Sequence, residues 1–195
     1  MAKSATYQAV VIGVSAGGIA ALERIFSALC ATFSLPIMVV QHIAPSGGNY
    51  LENHFSSCCS LPVREALDKE PIRPGTIYFA PPNYHLLIEQ HKAMALSTEG
   101  RVNYSRPSID VLFTTAAETY GEALVAIVLT GANHDGAAGL ATVARLGGLT
   151  IVQEPATAEV DIMPKAALAA TRVDHVLPLD KIGEFLNTVG SNTKS

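Results

Sequence analysis

Gln8-Ala9-Val10-Val11-Ile12-Gly13-Val14, followed by Ser15-Ala16-Gly17-Gly18, is the stretch on which the fold turns. Its first seven residues form an apolar, largely β-branched run without polar alternation. Such a run fits a short strand buried on both faces, as in a parallel sheet. Gly17 and Gly18 break it, and Ile19–Cys30 then carries apolar residues at helical spacing. The rhythm repeats downstream. Pro36–Gln41 reads as a second strand, His42–Gly48 as a loop, Asn49–Cys59 as a helix and Pro62–Glu65 as a third strand. Alternating strands and helices imply right-handed crossovers and a parallel sheet covered on both faces.

The middle of the chain departs from this pattern. Thr76–Ala80 is strand-like between the turn Pro71–Gly75 and the breaker Pro81–Asn83. His85–Glu89 and Ala93–Thr98 flank a stretch too short for a helix, which predicts an antiparallel hairpin appended to the sheet. Ser108–Tyr120 reads as a helix with Ser108 as its N-cap. Ala123–Leu129 is the most hydrophobic strand and is expected at the centre. Helix Gly136–Leu146, strand Thr150–Val152, helix Pro164–Ala170, strand His175–Leu179 and helix Lys181–Val189 complete the chain. The expected fold is α/β: a doubly wound, mostly parallel sheet with helices on both faces and an added antiparallel hairpin. One domain is expected over residues 1–195.

Composition narrows the class. Hydrophobic residues make up 49% and charged residues 15%, the latter well below the roughly 25% of an average domain. That balance excludes a disordered tail or a solvated coiled coil. No apolar run reaches the roughly 18 residues of a membrane span, and the opening MAKSATYQ is too short and polar for a secretory leader. A net charge of −4 argues against nucleic acid, whose phosphates need a basic surface. Cys30, Cys58 and Cys59 cannot all pair within one chain and are expected as reduced thiols of a cytoplasmic protein.

In an open parallel sheet, ligands and reactive groups gather at the carboxyl ends of the strands. Three such ends carry unusual residues here: Gly13–Gly18, Gln41-His42 and Thr130–Gly136. Gly13, Ser15 and Gly18 have the spacing of a dinucleotide fingerprint, and the same segment satisfies the G-x-S-x-G elbow of a serine nucleophile. Serine at the second glycine position would crowd a pyrophosphate. The second strand ends in Gln41-His42 and not in a ribose-binding carboxylate. A serine hydroxyl needs an imidazole to take its proton, and that imidazole needs a carboxylate to orient it. Ser15, His42 and Asp135 meet this requirement on one predicted sheet edge. Each also has a plainer use: Ser15 or Asp135 as a helix cap, the latter for the helix that follows it, and His42 as a structural hydrogen-bonding residue. His134 could compete with His42 as the base, and Arg106 could clamp a substrate carbonyl or carboxylate. His54, His85, His91 and His175 show no metal-ligand spacing among themselves or with Cys58-Cys59.

Several segments together resemble a known family. They are Gly13–Gly18, Gln41-His42, Arg106–Phe113 (RPSIDVLF), Thr130-Gly131 and Asp135–Gly139 (DGAAG), with Pro74-Gly75, Ala80-Pro81 and Met163-Pro164 between them. From about Val10 to Leu179 the chain resembles the catalytic domain of the chemotaxis protein-glutamate methylesterase (CheB) family. The resemblance implies a doubly wound parallel sheet with an added hairpin. It implies hydrolysis of γ-glutamyl methyl esters on the cytoplasmic helices of methyl-accepting chemotaxis receptors, with release of methanol, and for many members deamidation of receptor glutamines. It makes Ser15 the nucleophile, His42 the general base and then acid, and Asp135 the orienting carboxylate, with no metal or organic cofactor. The backbone amides of Ala16 and Ala132 would form the oxyanion hole.

Two departures stand out. The family usually carries a receiver domain in front, whereas this chain opens about seven residues before its first strand, so a stand-alone or trimmed catalytic domain is expected. Where the family often has Met-Gly-Asn before the aspartate, this chain has Ala132-Asn133-His134. The Ala132 amide is retained as a donor, and loss of glycine at Asn133 is expected to alter the path of the loop. A binding module of the same fold that engages a receptor or signalling partner without catalysis is the alternative.

Overall fold

The computed structural model describes residues 6–42 and 50–190. Its strands are β1 (Ala9–Val14), β2 (Ile37–Gln41), β3 (Val63–Glu65), β4 (Ile77–Phe79), β5 (His85–Ile88), β6 (Met94–Ser97), β7 (Leu124–Val128), β8 (Leu149–Gln153) and β9 (His175–Leu177). Helices α1 (Gly18–Ser27), α2 (Tyr50–Ser56), α3 (Ile109–Tyr120), α4 (Ala137–Arg145), α5 (Ile162–Ala170) and α6 (Leu179–Gly190) connect or flank them. The expected loop His42–Gly48 lies outside the described residues after His42, as does Asn49, where the second helix was expected to start.

All six residues of β1 are buried, as its two-sided apolar run requires. Val10, Ile12 and Val14 point to one face, where Leu22, Ile25 and Phe26 of α1, Phe55 of α2, and Ile182 and Leu186 of α6 close over them. Ala9 and Val11 point to the other, packed with Ile109, Leu112 and Phe113 of α3, Leu140 of α4 and Met163 of α5. In α1 the buried positions Gly18, Ala21, Leu22, Ile25 and Phe26 form one stripe, the spacing that fixes an amphipathic helix against a sheet. Each fully buried Leu, Ile or Phe in these layers contributes about 1.5–3 kcal/mol relative to exposure.

The seven-stranded sheet runs β3-β4-β2-β1-β7-β8-β9, and every pair in it is parallel. β1 holds the centre, and β7, expected there, lies beside it. The chain builds β2, β4 and β3 on one side of β1 and β7, β8 and β9 on the other. The carboxyl ends of β1 and its two neighbours therefore flank the point where strand order reverses, where doubly wound folds place their ligands. β5 and β6 pair antiparallel as a separate two-stranded sheet and do not join the parallel one. The hairpin packs instead on α3, where the Ile88 amide donates to the Thr115 hydroxyl at 3.1 Å.

Element ends shift by a few residues for local reasons. α1 stops three residues before Cys30, in a tightened last turn where the Ala28 and Leu29 amides reach back three residues. β9 stops at Leu177 because Pro178 cannot extend the ladder, and Leu179, expected in the strand, opens α6.

Gly13 shows how tightly the centre is built. A Cβ there would collide with the Ile109 side chain at the start of α3. Gly13→Ala should therefore cost about 1–3 kcal/mol through overpacking and lower the thermal midpoint by several degrees. Gly100→Ala, where a Cβ meets nothing within 4 Å, should leave the midpoint unchanged in the same melts.

Candidate active site

The three strand ends singled out by sequence converge. Ser15 leaves β1 with its amide bonded to the Thr130 carbonyl at the end of β7 (3.0 Å), and His42 leaves β2 with its amide on the Val14 carbonyl (3.1 Å). Gln41 clasps both ends. Its side-chain amide donates to the Ser15 and His42 carbonyls, each at 2.9 Å. The Thr130 hydroxyl, itself buried, donates to the Ala16 carbonyl at 2.8 Å and accepts the Val160 amide at 2.9 Å. Two glycines allow this close approach. Gly17 adopts a left-handed φ of 75°, which glycine tolerates without steric cost. A Cβ on Gly131 would strike Met163 and come within 2.9 Å of the Ser15 Cβ.

His42 is joined to Asp135 by an Nε2–Oδ2 contact of 3.0 Å. Asp135 is 1% exposed, so its charge must be met by donors. Oδ2 also accepts the Ile109 amide at 2.7 Å, and Oδ1 accepts the Ser108 hydroxyl at 2.8 Å, the Asn103 side-chain amide at 3.0 Å and the Asp110 amide at 3.1 Å. Burial alone would raise the Asp135 pKa. The His42 hydrogen bond, followed by those from Ile109, Asn103 and Asp110, outweighs burial and holds the group below its ordinary range.

Asp135 Oδ1 takes the Gly136 amide just before α4 at 3.1 Å, but most of its helix capping serves α3. It takes the first free amides of α3, while Asp110 in the first turn of α3 accepts the Gly136 and Gly139 amides of α4 at 3.0 and 2.6 Å. The two helices exchange capping carboxylates. Burial first, and the nearby Asp135 charge, push the Asp110 carboxyl up, against the donors that hold it. Ser108 occupies the position before α3, yet its hydroxyl makes no capping bond and turns to Asp135.

Ser15 and His42 line one open cleft of about 450 Å³ with Gly18, Gln41, Glu23 and Glu159. Among the described residues no hydrogen bond joins the Ser15 hydroxyl to His42, and the Ala16 and Ala132 N–H groups have no acceptor. A larger hollow, about 690 Å³, lies around Leu149 at the opposite edge of the sheet and is lined by no serine, cysteine or histidine. His134 is exposed and takes no part in the Ser15–His42–Asp135 cluster. Arg106 does not point a free clamp at the cleft. Its guanidinium donates to the Thr98 and Glu99 carbonyls at 2.7 and 2.9 Å, holding the end of the hairpin. His85 is buried between the Gly100 carbonyl and the Ser108 amide. Among the described residues no group of three or more His, Cys, Asp or Glu side chains could hold a metal ion. No described helix is long and apolar enough to cross a membrane.

The profile of the CheB methylesterase family matches residues 10–186. The chain belongs to the CheB methylesterase family. A protein of Leptospira interrogans, provisionally named protein-glutamate methylesterase/protein-glutamine glutaminase, is 49% identical over 186 residues, covering 95% of this chain and 96% of its own length. The protein-glutamate methylesterase/protein-glutamine glutaminase of Trichodesmium erythraeum is 38% identical over 90% of this chain, which spans only 51% of that relative. The crystal structure of the Thermotoga maritima CheB methylesterase catalytic domain superposes with a TM-score of 0.90 at 36% identity, covering 94% of this chain and 98% of that one.

Within this CheB-family site, sequence alone assigned no supporting role to Thr130, Asn103, Asp110 or Asn133. Asn103 is the one with a local signal. It and Tyr104 have φ of 50° and 62° in a tight turn closed by the Val102–Ser105 bridge, a conformation in which asparagine is favoured. The others act across the fold, through partners distant in sequence.

Proposed function

We propose that this chain is a serine hydrolase that demethylates γ-glutamyl methyl esters on the cytoplasmic helices of chemoreceptors, releasing methanol, and that it deamidates receptor glutamines. The observation that carries this reading is the 3.0 Å pairing of His42 with the buried Asp135, with His42 and Ser15 lining one cleft. Relatives named for both activities on protein glutamate and glutamine support the substrate class.

The chemistry follows from the arrangement. Asp135 holds the Nε2 proton of His42, which leaves Nδ1 as the basic nitrogen. The ring nitrogens are thus used in the opposite sense to the serine-protease triad. Ser15 Oγ gives its proton to Nδ1 and attacks the ester carbonyl. The resulting oxyanion is met by the Ala16 and Ala132 amides. Collapse of this intermediate breaks the bond to the methoxy group, which leaves as methanol with the proton carried by His42. Water, activated by the same imidazole, then releases the glutamate carboxylate and restores Ser15. With a glutamine side chain, ammonia leaves instead of methanol.

The test is to incubate the protein with membranes bearing receptors labelled in their methyl esters and to collect volatile methanol. Time-dependent release is expected, with kcat/KM falling about tenfold per pH unit once the base is protonated. A rate that stays flat from about pH 5 to 8, the window in which imidazole changes charge, would contradict an imidazole base. No release, together with no labelling of Ser15 by a serine-directed reagent, would favour a binding module.

A further inference from the structure

The loop before Asp135 carries a side chain that the mechanism above leaves unused. Asn133 bridges both partners of the His42–Asp135 pair. Its Oδ1 accepts the Asp135 backbone amide at 3.0 Å, and its Nδ2 lies 3.2 Å from His42 Nδ1. The first contact fixes the second. A backbone N–H can only donate, so the oxygen of Asn133 must face it and the NH₂ group must face the imidazole. An NH₂ group can only donate, so His42 Nδ1 is an acceptor and the ring proton sits on Nε2, where the Asp135 carboxylate receives it.

We infer that Asn133 is a positioning residue, which holds His42 in the tautomer with an unprotonated, hydrogen-bond-accepting Nδ1 and opposes protonation of that nitrogen. The inference rests on the proposed role of His42 as base. Asn133 has no left-handed φ, so its side chain stands in the loop without backbone strain. Because the amide occupies the lone pair in the free protein, it must yield as Ser15 Oγ delivers its proton. It therefore acts between turnovers, by keeping the ring in the competent orientation.

Other charged or titratable groups also face His42. Asp135 holds Nε2. Arg101, Tyr104 and Arg106 line the small cavity on one side, and Glu23 and Glu159 the cleft on the other. Substituting Asn133 leaves all of them in place, so a change in His42 protonation reports the lost donor.

The test uses Asn133→Gly and Asn133→Asp beside the wild type, with ¹⁵N-labelled histidine followed by NMR across pH without substrate and kcat/KM profiles with methylated receptors. His42 is assigned from the spectrum of His42→Gln. The wild type should show the Nε2–H tautomer, with an acceptor Nδ1. In Asn133→Gly the protonation midpoint and the acidic limb of kcat/KM should move together to higher pH by roughly half a unit to one unit. That is the size of one neutral hydrogen bond. In Asn133→Asp, where a carboxylate would accept from a protonated Nδ1, the shift should be larger. Coincident midpoints in all three proteins, or a wild-type proton on Nδ1, would overturn the inference. Absence of methanol release by wild type would instead count against the proposed function, and the NMR midpoints would still decide the role of Asn133.

Discussion

Replacing Ser15 with alanine should lower methanol release from methylated receptors by roughly 10⁴–10⁶-fold, the loss seen when a serine nucleophile is removed from a working triad. Folding should be unaffected. The contacts that shape the turn are made by the Ser15 backbone, to the Thr130 carbonyl, the Gly18 amide and the Gln41 side chain, and alanine keeps all three. The hydroxyl itself makes no hydrogen bond among the described residues. Unfolding by urea should then differ from wild type by no more than about 0.5 kcal/mol. Activity within an order of magnitude of wild type in a properly folded Ser15→Ala protein would remove Ser15 from the chemistry.

Asp135→Asn should fail in two separable ways. An amide cannot stabilise the imidazolium that forms as Ser15 attacks, and it can turn an NH₂ group toward Nε2 and so favour the wrong tautomer. A fall in kcat of about 10⁴ is expected. The same substitution removes a charge that receives His42, Ser108, Asn103 and the first amides of α3. Hydrogen bonds to a charged group are worth about 1.5–3 kcal/mol each, and not all are lost to the amide oxygen. A stability loss of about 2 kcal/mol should appear in denaturant melts at neutral pH.

That deficit has a defined pH dependence. The folded-state pKa of Asp135 is depressed, so its stabilising contribution is complete above the ordinary aspartate value of about 3.9. The contribution is lost as pH falls through the lower folded value. Wild type and Asp135→Asn should therefore converge in stability on acidification below about pH 4. A gap of constant size from neutral pH to strong acid would show that the carboxylate charge is not what holds the ends of α3 and β7 together.

The parts of this site legible in sequence were those tied to strand ends. A doubly apolar β1, a Gln41-His42 end to β2 and a polar end to β7 place Ser15, His42 and Asp135 on one edge through topology alone, without knowledge of any side-chain contact. The hairpin was also visible, because two short apolar segments too close for a helix between them have few alternatives. Its separation from the main sheet was not, since pairing partners depend on packing against α3. The exchange of capping carboxylates between α3 and α4 was hidden for a similar reason. Asp110 and Asp135 each precede or open a helix in sequence, and local rules assign each to its own. The helices meet N-terminus to N-terminus only because α3 and α4 pack side by side on one face of the sheet, where each carboxylate reaches the other's free amides. Asn133 showed only as a departure from glycine. Its two hydrogen bonds arise from where the loop after β7 passes β2.

The proposed chemistry requires Ser15 to be an activated nucleophile. A fluorophosphonate probe followed by peptide mapping tests this directly, because it requires the base as well as the hydroxyl and no knowledge of the receptor. Stoichiometric modification of Ser15 in the wild type is expected, strongly slowed in Asp135→Asn and absent in Ser15→Ala. Modification elsewhere, or an unmodified wild-type Ser15 in a folded protein, would contradict the account.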